Sequence, residues 1–210
     1  MSKSNTKLII GLIIGIVYFF IMFSPLTSGN INFWLVMSLT AITLSLYTFL
    51  IGWRKEKKPI IRFDLKSIAL GIISAGVLWG IFWLGNFFSE IIFPFAKENI
   101  GSIYSIKSGY NPLLISLLLA FLIGPAEEIF WRGYIQNKLS LRFGKNTGMV
   151  LSVLAYTLVH IWSFNPMLIL AALVAGGFWG LIYRFKPNNL APLIISHALW
   201  DVSVFILFPI

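Results

Sequence analysis

Residues 112–140 have the sequence PLLISLLLAFLIGPAEEIFWRGYIQNKLS, which is long and apolar enough to cross a membrane as one helix. Two acids, Glu127 and Glu128, stand side by side in its middle. A carboxylate at the centre of a bilayer costs about 2.5–3.5 kcal/mol, and two adjacent carboxylates also repel each other. Ordinary packing does not explain the pair, so this stretch predicts both a membrane-spanning fold and the first place to look for function.

The rest of the chain is equally apolar. Of its 210 residues, 58% are hydrophobic and only 11% are charged, which excludes a soluble globular domain and a disordered chain. We predict an all-α, polytopic membrane helical bundle with about seven transmembrane helices. The predicted spans are residues 8–24, 31–53, 66–89, 112–140, 146–163, 166–184 and 189–209.

The basic residues follow the predicted topology, which argues against nucleic acid as the partner of this chain with a net charge of +9. With seven spans, thirteen of the sixteen fall on one side: Lys3, Lys7, Arg54, Lys55, Lys57, Lys58, Arg62, Lys66, Lys138, Arg142, Lys145, Arg184 and Lys186. Lys97 and Lys107 fall on the other side, and Arg132 lies within a span. The positive-inside rule then predicts a plasma-membrane protein with a cytoplasmic N-terminus and an outer C-terminus.

The first apolar segment is expected to be a retained span. Residues 24–29, SPLTSG, contain no clear small-x-small site at which a signal peptidase would cut. We predict one integral membrane domain with two parts. Residues 1–110 supply N-terminal transmembrane helices and an outer loop or interfacial helix, and residues 111–210 form the second part, in which we expect the chemistry to lie. Gly176, Gly177 and Gly180 are expected to be helix-packing positions.

The second part holds the ionisable groups that fall inside predicted spans. Besides Arg132, they include three of the seven acids and both histidines: Glu127, Glu128, Asp201, His160 and His197. A single glutamate–arginine pair or one histidine in a membrane helix is often structural. Five such groups on three helices are expected to converge, because each needs a partner or a wet cavity.

Helical spacing suggests how these groups divide their work. Glu128 and Arg132 are four residues apart and share a helix face, so they are expected to pair, whereas Glu127 points elsewhere and is left free to act chemically. Burial and the adjacent charge suit Glu127 to accept a proton as a general base. Asp201 lies four residues after His197 and is expected to orient its imidazole.

Three motifs carry a resemblance to a known family. Glu127-Glu-Ile-Phe-Trp-Arg132 matches EExxxR, Tyr156-Thr-Leu-Val-His160 approximates FxxxH, and His197-Ala-Leu-Trp-Asp201 matches Hxxx(N/D). In this order, over about residues 112–205, the chain resembles the CAAX-protease and bacteriocin-processing family of intramembrane endopeptidases, also called the Abi family. Two residues depart from the usual pattern. Tyr156 replaces phenylalanine and adds a hydroxyl near His160, and Asp201 stands where eukaryotic and archaeal CAAX enzymes have asparagine.

The resemblance implies hydrolysis of a peptide bond within the membrane. Glu127 and His160 would activate the attacking water, Glu128 with Arg132 would shape the site, and His197 with residue 201 would stabilise the oxyanion. An ionised Asp201 cannot donate a hydrogen bond, so either it is protonated or it holds His197 as an imidazolium that donates alone. We prefer the second alternative.

The metal requirement is open at this stage. The chain has no cysteine, which removes disulfides, thiolate ligands and a cysteine nucleophile. Glu127, His160 and His197 are candidate zinc ligands, but the chain lacks HExxH, and a metal-free glutamate mechanism is preferred. We predict no other cofactor site. On the predicted boundaries His160 lies near the outer end of span five, whereas Glu127 and His197 lie nearer the centre of the membrane. Either that helix is tilted or re-entrant, or the spans are shifted.

Three functions are compared. The first is an endopeptidase that acts on a peptide or membrane-associated protein within the lipid, of the CAAX type or in bacteriocin or signal-peptide processing. The second is a non-proteolytic bacteriocin immunity or peptide-binding protein, since the same family includes proteins linked to self-protection. The third, a proton-coupled transporter, is disfavoured because the two halves of the chain differ in polarity and show no repeat.

Overall fold

The structure is a computed structural model that describes residues 3–54 and 58–210. Lys55 and Lys57, which the charge argument uses, lie outside the described residues. The helices of ten residues or more in the described part are α1 Lys3–Phe23, α2 Phe33–Gly52, α3 Leu65–Ile92, α4 Ala96–Ser105, α5 Pro112–Phe143, α6 Lys145–Val159, α7 Pro166–Phe185 and α8 Ala191–Leu207. No β-strand occurs in these residues beyond an isolated bridge, so the predicted all-α membrane bundle is confirmed.

The seven predicted spans correspond to seven helices of unequal length. α1, α2, α3, α5 and α7 are long and apolar enough to cross a membrane. α6 has 15 residues, and α8 is a shorter apolar helix. The connector between spans three and four contains a helix, α4, rather than loop alone. The chain is therefore a multi-pass membrane protein in which two of the seven helices are short.

Polar caps fix where several helices begin. The Asp64 side chain accepts a hydrogen bond from the Ser67 N–H at the start of α3. Asn111 and Asn165 do the same for α5 and α7, and each is followed by a proline in the first turn. Proline is well suited to that position because its missing N–H has no helical partner there. The apolar runs after these caps continue as helix because a membrane leaves the backbone no other way to satisfy its hydrogen bonds.

Glycines allow close crossings between the helices. A Cβ at Gly71 in α3 would lie 2.6 Å from Cβ of Ile195 in α8, and one at Gly176 in α7 would lie 2.8 Å from the Tyr156 ring in α6. A Cβ at Gly180 would also touch its neighbours, whereas one at Gly177 would meet nothing within 4 Å. The packing prediction is therefore confirmed for Gly176 and Gly180 and wrong for Gly177, which faces open space.

Hydrogen bonds between loops show which helix ends lie together. Arg142 at the end of α5 donates to Asn5 in the first turns of α1, and the Asn189 side chain before α8 bonds to the Arg62 backbone before α3. At the other end of the bundle, Asn165 before α7 donates to the Asn99 carbonyl in α4 at 2.8 Å. The loops that carry most of the basic residues thus meet at one end, and α4 lies at the other.

Candidate active site

Helix α5 changes its pitch around the two glutamates. Its middle consists of a π-helical stretch, Leu119–Ile123, one α-helical turn, Gly124–Glu127, and a second π-helical stretch, Glu128–Gln136. The Gly124 N–H bonds to the Leu119 carbonyl five residues back, directly before Pro125, which has no N–H to donate. Wide turns of this kind inside α-helices are frequent at functional sites. The local backbone thus singles out the segment that the two adjacent acids indicate.

Glu128 is the fully buried centre of the polar cluster. Its Oε1 accepts a hydrogen bond from Nη1 of Arg132 at 2.8 Å and lies 2.8 Å from Nδ1 of His197. Arg132 also donates from Nη2 to the Gly176 carbonyl at 3.2 Å. The contact with Arg132 is the one that the four-residue spacing predicts. The contact with His197 joins two helices and was not predicted.

The crossing of α5 and α8 explains why His197 reaches Glu128. A Cβ at Gly124 would lie 3.2 Å from the backbone nitrogen of Ala198, the residue after His197. Only a residue without a side chain lets the two backbones approach this closely. The imidazole of α8 therefore projects onto the face of α5 that carries Glu128.

Asp201 is a looser partner of His197 than we expected. Its Oδ2 lies 3.5 Å from Nε2 of the imidazole, which is long for a hydrogen bond, while Glu128 holds Nδ1 at 2.8 Å. The sequence predicts that Asp201 orients the ring, and the structure adds a second carboxylate. Glu128 makes the closer contact, and Asp201 stands on the other side of the ring.

Glu127 is held by a residue from another helix. The Tyr156 hydroxyl donates to its Oε2 at 2.9 Å, so Glu127 is not as free as the spacing on α5 suggested. The sequence places this hydroxyl near His160, and the structure adds Glu127 as its hydrogen-bond acceptor. Tyr156 is thus a member of the site that the sequence marked only as a departure from a motif.

His160 presents one free nitrogen to the site. Its Nδ1 lies 2.8 Å from the Tyr156 carbonyl, and because a carbonyl can only accept, Nδ1 carries the proton. Nε2 of the neutral ring is then an acceptor. The rings of Phe19 and Tyr156 contact the imidazole at centroid distances of 4.9 and 5.0 Å and fix its direction.

The depth of His160 follows from the length of α6. The helix ends at Val159, and His160 begins a short 3-10 turn. Its 15 residues give a rise of about 22 Å, whereas the hydrocarbon core of a bilayer is about 30 Å thick. α6 therefore ends before it has crossed the whole core, and His160 lines the same cavity as Glu127 although α6 is not re-entrant.

Trp179 is a further member of the cluster that the sequence did not indicate. Its ring stacks on the imidazole of His197 with centroids 3.8 Å apart and an angle of 20° between the planes. Its Nε1 donates to Ser196 at 3.0 Å, and the Arg132 guanidinium lies over its face. The tryptophan therefore clamps the ring from α7, while Glu128 holds it from α5.

A cavity of about 330 Å³ adjoins these groups. Four of the six candidate residues line it: Glu127, His160, His197 and Asp201. Glu128 and Arg132 do not line it and contact its wall through His197, Tyr156 and Trp179. The remaining lining is mostly aliphatic and aromatic. A cavity of this kind takes an apolar ligand and brings its polar centre against a few fixed groups.

The three candidate zinc ligands are not arranged as a metal site. Among the described residues, no group of three or more histidine, aspartate or glutamate side chains is arranged to hold a metal ion. Glu127 is bonded to Tyr156, and Nδ1 of His197 is bonded to Glu128. Catalytic zinc sites need three converging protein ligands. The described side chains do not fit such a site, and no step below uses a metal.

Comparison with known protein families gives a match over most of the second half of the chain. Residues 109–203 match the family model described as "Type II CAAX prenyl endopeptidase Rce1-like". Searches of curated proteins and of solved structures gave no significant match. The matched range contains all six candidate residues, the whole of α5 and α6, and most of α8. Over residues 109–203 the chain is therefore similar to type II CAAX prenyl endopeptidases of the Rce1-like kind, which is consistent with the CAAX-protease and bacteriocin-processing family.

Proposed function

We propose that this protein is an intramembrane endopeptidase that hydrolyses a peptide bond in a peptide or membrane-associated protein. The observation that supports this most is the grouping of Glu127, His160 and His197 on the wall of one apolar cavity. A protein that only bound an apolar ligand would gain nothing from desolvating a carboxylate and two imidazoles there. Residues 111–210 are the proposed catalytic core, and residues 1–110 complete the cavity.

The proposed first step is attack by water on the scissile carbonyl carbon. Glu127 accepts a proton from the water, and the free Nε2 of His160 accepts a hydrogen bond from it and aligns it. The new C–O bond forms as the carbonyl becomes an oxyanion. The proton on Glu127 then passes to the amide nitrogen, the C–N bond breaks, and a carboxylic acid and an amine are released. Tyr156 holds Glu127 in position during both transfers.

The proposed oxyanion donor is His197. Its Nδ1 is committed to Glu128, and its Nε2 lies 3.5 Å from Asp201, too far for a strong hydrogen bond. Flanked by two carboxylates, the imidazole is favoured as an imidazolium, whose Nε2–H is available to a developing negative charge. Glu128 and Arg132 are positioning residues in this account, since they act through His197.

The proposed substrates are leader or signalling peptides in a bacterial plasma membrane. The chain is rich in lysine, isoleucine and phenylalanine, which is typical of a bacterial protein. The N-terminus is proposed to be cytoplasmic and the C-terminus to lie outside, because the loops with most of the basic residues meet at one end of the bundle. Metal-free hydrolysis is the proposed chemistry.

Glu127→Gln is the decisive variant. It keeps the size of the side chain and an oxygen that accepts from Tyr156, but it cannot take a proton. Membrane-associated peptides from cells that carry the wild type and the variant are compared by mass spectrometry. Peptides that accumulate uncleaved only in the variant, at equal protein abundance, support the proposal. Glu90→Gln, at an exposed position of α3, is the matched control and should leave the peptides unchanged.

The same variant separates proteolysis from immunity. A non-proteolytic immunity protein of this family would need the cavity but not the proton transfer. If Glu127→Gln protects cells from a bacteriocin as well as the wild type does, and no peptide differs between the two, the endopeptidase proposal is wrong for this protein.

A further inference from the structure

The cavity lies nearer one end of the bundle. Its α3 residues come from the second half of that helix and include Gly85 and Ser89, and its α7 residues begin at Met167 in the first turn. α8 contributes Val204 and Phe205 from its last turns, and α4 contributes residues from its second half. All these segments meet where α4 lies. The cavity therefore extends from the catalytic groups toward the α4 end of the membrane.

The basic residues lie mainly at the opposite end. Hydrogen bonds between Arg142 and Asn5 and between Arg184 and Asn146 join the loops there. At the α4 end the sequence has two basic residues, Lys97 and Lys107, and two acids, Glu90 and Glu98, so the formal charges cancel. Positively charged loops stay in the cytoplasm. The difference in basic residues between the two ends therefore indicates that the α4 end, and with it the cavity, faces away from the cytoplasm.

We propose that the catalytic cavity opens on the outer, non-cytoplasmic side of the membrane and takes an apolar segment of an exported peptide. This inference rests on the proposed function for the reaction and adds the side on which the substrate arrives. A prenylated C-terminus of a cytoplasmic protein would approach from the end that carries the basic loops. On that side the catalytic groups are separated from water by the buried core around Trp131 and Tyr134.

The lining also limits the chemistry of the substrate. Beyond the catalytic groups, the cavity wall is formed by side chains such as Phe82, Trp200 and Phe205. Charged side chains near the cleaved bond would lose their hydration against these rings without gaining a partner. The expected substrate is therefore an extended peptide with apolar residues on both sides of the scissile bond.

The absence of cysteine makes the sidedness directly measurable. Single cysteines are introduced into the full chain in the Glu127→Gln background, so that labelling does not depend on hydrolysis. Gly85→Cys probes the cavity, because a Cβ there meets nothing within 4 Å. Ile103→Cys is a second cavity probe on α4. Lys97→Cys and Lys186→Cys report the two ends of the bundle. A membrane-impermeant maleimide is applied to intact cells and to permeabilised cells.

We expect the maleimide to label Gly85→Cys, Ile103→Cys and Lys97→Cys in intact cells, and Lys186→Cys only after permeabilisation. The proposal is overturned if Gly85→Cys and Ile103→Cys are labelled only after permeabilisation, as is expected of Lys186→Cys. It is equally overturned if neither cavity probe is labelled from outside while Lys97→Cys is. A single buried thiol does not decide the result, because the two probes lie on different helices.

A second measurement separates this inference from the proposed function. Gly85→Cys is placed in the otherwise wild-type chain, and intact cells are treated with the impermeant maleimide before the peptides are compared. Loss of cleavage after treatment supports both the endopeptidase function and the outer opening of the cavity. Unchanged cleavage despite complete labelling contradicts the cavity as the route of the substrate. If Glu127→Gln itself changes no peptide, the proposed function fails, whereas the labelling pattern still decides which side the cavity faces.

Discussion

Nδ1 of His197 lies 2.8 Å from Oε1 of Glu128, and this contact joins α8 to α5 inside the bundle. The same oxygen accepts from Arg132 on its own helix. One carboxylate oxygen therefore fixes a guanidinium and an imidazole that are 65 residues apart in the sequence. Glu128 does not line the cavity, and its effect on the reaction passes through the direction and charge of the imidazole.

Glu128→Gln should destabilise the fold as well as impair cleavage. The amide leaves Arg132 buried without a counter-charge, and breaking a buried ion pair in this way costs about 3–5 kcal/mol. Thermal unfolding of the purified protein in detergent measures the effect. Glu127→Gln, which removes no ion pair, should unfold at the wild-type temperature and serves as the control. Equal melting temperatures for the two variants would contradict the assigned difference between the two glutamates.

His197→Ala and Asp201→Asn should differ in severity. His197 is the proposed oxyanion donor, and loss of one such donor lowers kcat by about a hundredfold to a thousandfold. Asp201→Asn keeps the size of the side chain and leaves the Glu128 contact to hold the ring, so substantial activity should remain. Cleavage rates of a peptide identified by mass spectrometry test this. Equal and complete loss in both variants would show that Asp201 contributes directly.

Tyr156→Phe should lower activity modestly. The phenyl ring keeps its contacts with His160 and Arg132, and only the hydrogen bond to Glu127 is lost. A net contribution of one hydrogen bond corresponds to about a fivefold fall in the rate. The measurement is kcat on the same peptide, with the melting temperature as a check on folding. A complete loss of activity would mean that the hydroxyl takes part in the chemistry rather than in positioning.

Local rules predicted the contacts that one helix makes with itself. Glu128 meets Arg132 because four residues return a helix to the same face, and α5 and α7 begin where an asparagine precedes a proline. The contacts between helices could not be obtained in this way. Tyr156 of α6 reaches Glu127 of α5. His197 reaches Glu128 where Gly124 lets α5 and α8 cross closely, and no spacing rule states which helices will cross.

Helix length was the second quantity that the sequence left open. The apolar run of residues 146–163 is long enough to be interpreted as a full span, yet α6 ends at Val159 and turns. The turn satisfies its backbone partly through side chains, since Ser163 donates to the His160 carbonyl at 2.7 Å. A hydropathy pattern carries no information about such a hydrogen bond. The depth of His160 in the membrane therefore required the structure.

Metal chelation should leave cleavage unchanged. In the proposed mechanism Glu127 and His160 activate the water. In the described part of the chain, no third side chain completes a metal site with them. The purified protein is dialysed against EDTA or treated with 1,10-phenanthroline, and its metal content is measured together with its activity. Loss of activity that returns with stoichiometric zinc would contradict the metal-free mechanism, whereas unchanged rates in the metal-depleted protein would support it.

Gly124→Ala should impair catalysis through the crossing of α5 and α8. Its Cβ would lie 3.2 Å from the backbone nitrogen of Ala198, so the helices must separate by a few tenths of an ångström. The Glu128–His197 bond spans this crossing, and misplacing an oxyanion donor by that amount should lower kcat by about tenfold. Gly177→Ala is the matched control, because its Cβ meets nothing within 4 Å. If both alanine variants cleave at the wild-type rate, the close crossing is not what positions His197.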